Sequence, residues 1–223
     1  MNRPNLVFLV LPIVLGAATS SLSADAPAAI DVAAEKTSLF DGKTLRGWEG
    51  DGAYFRVQEG CIVAGNLKSE IPHNYFLCSE QTFKNFDLEL EVKLVGEGEN
   101  AGVQFRSRRV DDSTEVSGYQ ADAGRAWKRS VWGALYDESR RRKMLAEGDP
   151  ELVERLTKPG DWNHLRIVCR DDRVQIFFNG ERTVDYAETE ADIPRQGVIG
   201  LQIHSGPPTE AWYRNIRLRK LAD

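Results

Sequence analysis

The chain has 223 residues, with 29 Lys and Arg against 34 Asp and Glu and a formal net charge of −5. With no long run of one sign outside Arg140-Arg-Arg-Lys143, that balance argues against a nucleic-acid partner. The length suits one β-sandwich or barrel domain with a real core, and three cysteines are too few for a disulfide framework.

Residues 1–24 carry one positive charge, Arg3, then an apolar run over 6–18 and small residues at Ser21, Ser23 and Ala24. This pattern predicts a signal peptide cleaved after Ser23 or Ala24, because the run is shorter than the ~20 residues of a membrane span. Export to the periplasm or the extracellular space follows, with no transmembrane span left after cleavage. Residues 25–37, rich in Ala, Asp, Glu and Pro, read as a flexible tether. The domain is expected over 38–223.

Within it the dominant period is two. In Phe86-Asp-Leu-Glu-Leu-Glu-Val-Lys-Leu94 apolar and charged residues alternate, as in a strand with one face buried. Similar runs occur at 54–58, 61–64, 75–79, 102–106, 119–122, 165–170, 174–178, 198–204 and 212–218. About ten strands separated by turn signals predict an all-β antiparallel sandwich. Asn179-Gly180 predicts a two-residue hairpin, since both positions of that turn need positive φ. One short inserted helix is predicted, with Asp149 as N-cap, Pro150 at its first position, and Leu152, Val153 and Leu156 as its apolar stripe. Cys61 and Cys78 lie in neighbouring strand-like runs and could pair. Three buried thiols are the other reading, and both stand open.

Nine motifs in order along the chain are similar to the 3-keto-disaccharide hydrolase family. They are Ser38-Leu-Phe-Asp-Gly-Lys-Thr-Leu-Arg-Gly-Trp48, Asn85-Phe-Asp-Leu-Glu-Leu-Glu-Val-Lys-Leu94, Asn100-Ala-Gly-Val-Gln-Phe-Arg106, Gly118-Tyr-Gln-Ala-Asp122, Trp132-Gly-Ala-Leu-Tyr-Asp-Glu-Ser-Arg-Arg141, Trp162-Asn163, Phe178-Asn-Gly180, Gly200-Leu-Gln-Ile-His204 and Tyr213-Arg-Asn-Ile216. The resemblance covers residues 38–221. It departs at Asn100-Ala-Gly, where the family more often has Asn-Ser-Gly. It implies a concanavalin A-like jelly-roll sandwich of two sheets, and cleavage of glycosides whose sugar carries a ketone at carbon 3. An oxidised carbohydrate is then the substrate partner, and a separate sugar 3-oxidoreductase must act first. No cofactor is called for. Three scattered histidines give no zinc spacing, and an oxygen-rich divalent cation site is left open.

Alternation sorts the candidate strands into faces. Ile199, Leu201 and Ile203 read as core, which turns Gln202 and His204 outward. Val103 and Phe105 read as core, which turns Gln104 and Arg106 outward, and Gln120 and Asp122 alternate with Tyr119 and Ala121. Solvated sheet faces show the same pattern. What favours a site is the resemblance, which points to Arg106, Gln120, Asp122, Gln202 and His204, adds Glu91, and through Tyr136-Asp-Glu-Ser-Arg140 adds Glu138 and Arg140. Trp127, Trp132 and Tyr136 are expected to flank the cleft, as aromatic faces stack on sugar rings, with core packing the equal alternative for Trp132. His204 is assigned as base, Arg106 as enolate stabiliser, and Asp122 or Glu138 as acid. Two alternatives are a noncatalytic carbohydrate-binding module and a conventional glycosidase using Glu91 with Glu89 or Asp122. The glucanase pattern Glu-x-Asp-x-x-Glu is missing from the sequence.

Overall fold

The computed structural model describes Met1 and residues 35–222. The expected leader and most of the tether lie outside the described residues. Along the rest run β1 (Thr37–Ser38), β2 (Trp48–Glu49), β3 (Phe55–Gln58), β4 (Cys61–Asn66), β5 (Tyr75–Phe83), β6 (Phe86–Gly96), β7 (Asn100–Arg109), β8 (Val116–Ala126), β9 (Arg129–Ser130), β10 (Leu135–Glu138) and β11 (Lys143–Ala146). There follow α1 (Pro150–Leu156), β12 (Asn163–Arg170), β13 (Arg173–Phe178), β14 (Glu181–Ala187), β15 (Gly197–Ile203) and β16 (Thr209–Lys220).

The strands form two antiparallel sheets. The first has the order β14-β13-β12-β6-β16-β4-β3 with β1 along β16, and the second the order β11-β10-β8-β7-β15-β5-β2 with β9 along β8. Their facing surfaces enclose the core. Leu88, Leu90 and Val92 of β6 meet Val103, Phe105, Ala121 and Leu201 of the second sheet in one buried cluster. Burial of these alternate apolar side chains is what fixes each strand's register, since a one-residue slip would turn the set to solvent.

Local signals act as their chemistry requires. Asn179 and Gly180 have φ of 47° and 94°, and Phe178 pairs with Glu181 across the hairpin. Asp149 caps α1 by accepting a hydrogen bond from Leu152 N at 2.8 Å, and Val153 carries the helix onto the core. Cys61, Cys78 and Cys169 are free and buried. Cys61 and Cys78 sit on different sheets in separate side-chain clusters and are not joined to each other.

Period two fails on β7. A register shift between Phe105 and Arg108 breaks the alternation, and Arg106 takes a left-handed φ of 46°. Its guanidinium therefore leaves the Gln104 face and donates to Lys84 O at 2.9 Å, Asp171 O at 2.8 Å and Asn85 Oδ1 at 3.2 Å. Arg106 is a buried brace between strand ends, which corrects its assignment as enolate stabiliser.

Candidate functional site

On the second sheet's outer face, β15, β7, β8 and β10 present a polar row. Register places Gln202 opposite Gly102, Gly102 opposite Asp122, Gln104 opposite Gln120, and Gln120 opposite Tyr136. A cleft of about 140 Å³ opens over one end of this row. Gln120, Asp122, Trp127, Tyr136, Glu138 and His204 line it together, so six of the sequence-predicted residues converge.

His204 follows the end of β15. Its Nδ1 lies 2.7 Å from Ser205 O, which can only accept, so that nitrogen carries a hydrogen, and in the neutral ring the lone pair is on Nε2. Asp122 is 4% exposed, and burial pushes its carboxyl up to about 7, against a donated hydrogen bond from Gln120 and with added repulsion from Glu138. Burial also raises Glu138, helped by the nearby Glu115 carboxylate. Burial raises the Tyr136 phenol, and the charges of Glu138 and Asp122 add to it, so its hydroxyl stays a donor. The cleft thus holds two carboxyls raised above their usual range, Asp122 to about 7, beside the His204 ring.

Trp127 forms one rim. It and Lys128 occupy the two-residue turn between β8 and β9 with φ of 49° and 65°, and the indole is 66% exposed. It lies 6.4 Å from the Tyr136 ring, centroid to centroid. An indole held out of the core beside a polar cleft offers a free aromatic face for stacking.

Asn74 and Asn100 complete the lining and were not singled out from the sequence. Asn74 Oδ1 accepts from Ser205 N at 3.0 Å, which fixes the turn after His204, and Asn100 Nδ2 donates to Arg125 O at 3.0 Å. Asn100 opens one of the family motifs, the one signal that could have raised it. Nothing near Asn74 marks it in sequence.

Other expected residues stand elsewhere. Gln104 lies beneath the cleft, bonded to Gln120. Gln202 shares the polar face but is fully buried, and its amide has no hydrogen-bond partner among the described residues. Glu91 faces outward on the first sheet, where Arg214 and Asn215 donate to it, so it cannot flank one bond with Asp122. That removes the glycosidase pairing of Glu91 with Asp122. Glu89, the other partner considered, is tied to Lys36 at 2.7 Å. Trp132 stacks on Phe178 in the core, with centroids 5.3 Å apart, and not on the cleft. Arg140 is held by Asp137 and lies 4.6 Å over the Tyr119 ring, away from the lining. Among the described residues no three His, Cys, Asp or Glu side chains are grouped to hold a metal ion.

Residues 35–219 match the family described as the 3-keto-alpha-glucoside-1,2-lyase-like domain. A 3-keto-disaccharide hydrolase of Bacteroides thetaiotaomicron is 24% identical over 231 aligned positions, which span 82% of this chain and 78% of that protein. Among solved structures, a candidate glycosyl hydrolase from Parabacteroides distasonis is similar with a TM-score of 0.61 and 21% identity, covering 84% of this chain and all of that one. The carbohydrate-binding module CBM66 of Bacillus subtilis is similar with a TM-score of 0.57 and 13% identity, covering 82% of this chain and all of that one. At these identities the solved structures show a shared sandwich fold.

Proposed function

Because this chain belongs to the 3-keto-alpha-glucoside-1,2-lyase-like domain family, we propose that its cleft cleaves glycosides oxidised to a ketone at carbon 3, by elimination and then hydration. The family and its relatives mark a carbohydrate-active, hydrolase-like domain. The observation that carries the finer reading is the placement of His204 and Asp122 in one cleft, one with an open ring nitrogen and the other holding its proton to about 7.

A ketone at carbon 3 acidifies the hydrogen on carbon 2. His204 Nε2 takes that proton, and the electron pair forms the enolate. Tyr136, kept protonated, donates to the developing enolate oxygen, the part once given to Arg106. The enolate then expels the glycosidic oxygen from carbon 1, and Asp122 or Glu138 gives it a proton. Water then attacks carbon 1 and gives a proton to the carboxylate so formed, while the imidazolium of His204 returns its proton to carbon 2. Trp127 stacks on the substrate at the cleft mouth. A separate oxidoreductase supplies the ketone, and removal of the leader delivers the domain outside the cytoplasm.

A second reading is favoured by the fold shared with CBM66 and the exposed Trp127: a module that binds sugar without cleaving it. Incubation with a 3-keto-disaccharide and with its unoxidised parent separates the readings. Turnover of the ketone alone is expected. Saturable binding with no turnover of either sugar would favour the module, and turnover of the parent would contradict the elimination route.

A further inference from the structure

From Asp122 a line of side chains runs away from the cleft into the sheet. Gln120 Nε2 lies 2.7 Å from Asp122 Oδ1, Gln104 Nε2 lies 2.7 Å from Gln120 Oε1, and Ser107 Oγ lies 2.9 Å from Gln104 Oε1. All four side chains are buried. Two glycines make room for them. A Cβ on Gly102 would fall 2.4 Å from Gln120 Cδ, and one on Gly118 would fall 2.2 Å from Ser107 Oγ. The bulge that turns Arg106 away brings Ser107 within reach of Gln104.

A side-chain amide turned by half a rotation exchanges its oxygen and nitrogen at nearly the same positions, so this line of atoms has two hydrogen-bond polarities. In the first, Ser107 donates to Gln104, Gln104 to Gln120, and Gln120 to the Asp122 carboxylate. In the second, the Asp122 carboxylic acid donates to Gln120, Gln120 to Gln104, and Gln104 to Ser107. Reversal is possible only if the far end can both give and accept. Ser107 Oγ also lies 2.9 Å from Phe105 O and 3.3 Å from Tyr119 O, so when it accepts from Gln104 its own hydrogen goes to a backbone carbonyl. Neither polarity strands a buried group at either end.

We propose that Gln104 and Ser107 are positioning residues in a reversible hydrogen-bond chain that satisfies Asp122 both with and without its proton. This rests on the functional reading above with Asp122, of its two candidate acids, giving up a proton in the elimination and regaining one from water in the hydration. No proton travels along the chain. The amides rotate, and the proton on Asp122 exchanges with the leaving oxygen or with water in the cleft. The groups that face Asp122 are Glu138 and Tyr136 of β10, Arg129 of β9, and His204 across the cleft, and none of them belongs to the chain.

The test is a nuclear magnetic resonance titration of the free protein, following the Asp122 carboxyl carbon and the two glutamine amides. As pH falls through the Asp122 midpoint, the amide hydrogens of Gln104 should exchange Gln120 for Ser107 as their nearest neighbour. Ser107→Ala leaves an unpaired amide N–H in the acid form and only an under-satisfied carbonyl in the carboxylate form, so the Asp122 midpoint should fall by roughly half a unit to one unit. Ser107→Thr, which keeps the hydroxyl, should restore it. An unmoved midpoint in Ser107→Ala, or Gln104 amide hydrogens with the same neighbour on both sides of the titration, would overturn the proposal. No substrate is involved, so a failure of the enzymatic reading would leave this result unchanged.

Discussion

Asp122 shows how one residue couples the site to stability. Folded, it holds its proton up to about 7, against a usual value of 3.8. Between those values the unfolded chain binds fewer protons, so this group makes stability fall as pH rises through that window, by on the order of 4 kcal/mol, and leaves it level above. Asp122→Asn removes the slope. Its denaturant midpoint should match that of the parent near pH 4 and exceed it at pH 8, by a few kcal/mol in free energy of unfolding. Parallel curves for the two proteins would contradict the buried-acid assignment. The outward set of Gln104, Gln120 and Asp122 was legible in sequence because β7 and β8 pair without interruption from Asn100 to Phe105. Arg106 was not, because a bulge has no mark in the alternation of residue types. Asn74 reaches the cleft through a hydrogen bond to the turn after His204, a long-range contact no local pattern encodes.

Among the elements, the long strands, the short β3 and the capped helix were legible, and the other short strands were not. β2, β9, β10 and β11 have two to four residues each, too few for a period to register. This loss matters, because β10 carries Tyr136 and Glu138 into the cleft. Asp137, between them, points to the other face, where Arg140, Arg141 and the Arg141–Glu188 pair fix it. The basic cluster at 140–143 therefore includes two residues that anchor the strand bearing Glu138. The β8–β9 hairpin makes a separate prediction. Trp127→Ala should raise KM for a keto-disaccharide by roughly fivefold with kcat little changed, since a stacking platform contributes about 1 kcal/mol of binding in both ground and transition states. A fall in kcat at constant KM would instead place Trp127 in the chemical step. Arg106→Ala strips a buried donor set from Lys84 O and Asp171 O and should cost about 3 kcal/mol of unfolding free energy by denaturant titration. A near-neutral result would reopen the case for Arg106 as a cleft residue.

At the scale of the whole molecule, the two-sheet sandwich decides which carboxylates can meet. Strand alternation shows that Asp87, Glu89 and Glu91 share a face, but not which of the sandwich's two outer faces it is. Asp87 is buried among Lys36, Arg166 and Arg219, and Glu91 is held by Arg214, so this row secures the first sheet and lies on the far side from the cleft. The polar face over the second sheet carries the cleft, with His204, the proposed base, at its edge. Transfer of the carbon 2 hydrogen to that base is the central claim, and incorporation of solvent deuterium at carbon 2 of a 3-keto-disaccharide measures it directly. The parent protein should label carbon 2, while His204→Gln, folded and binding the same sugar, should slow labelling and turnover together by on the order of a hundredfold. Full labelling and full turnover in His204→Gln would contradict the account.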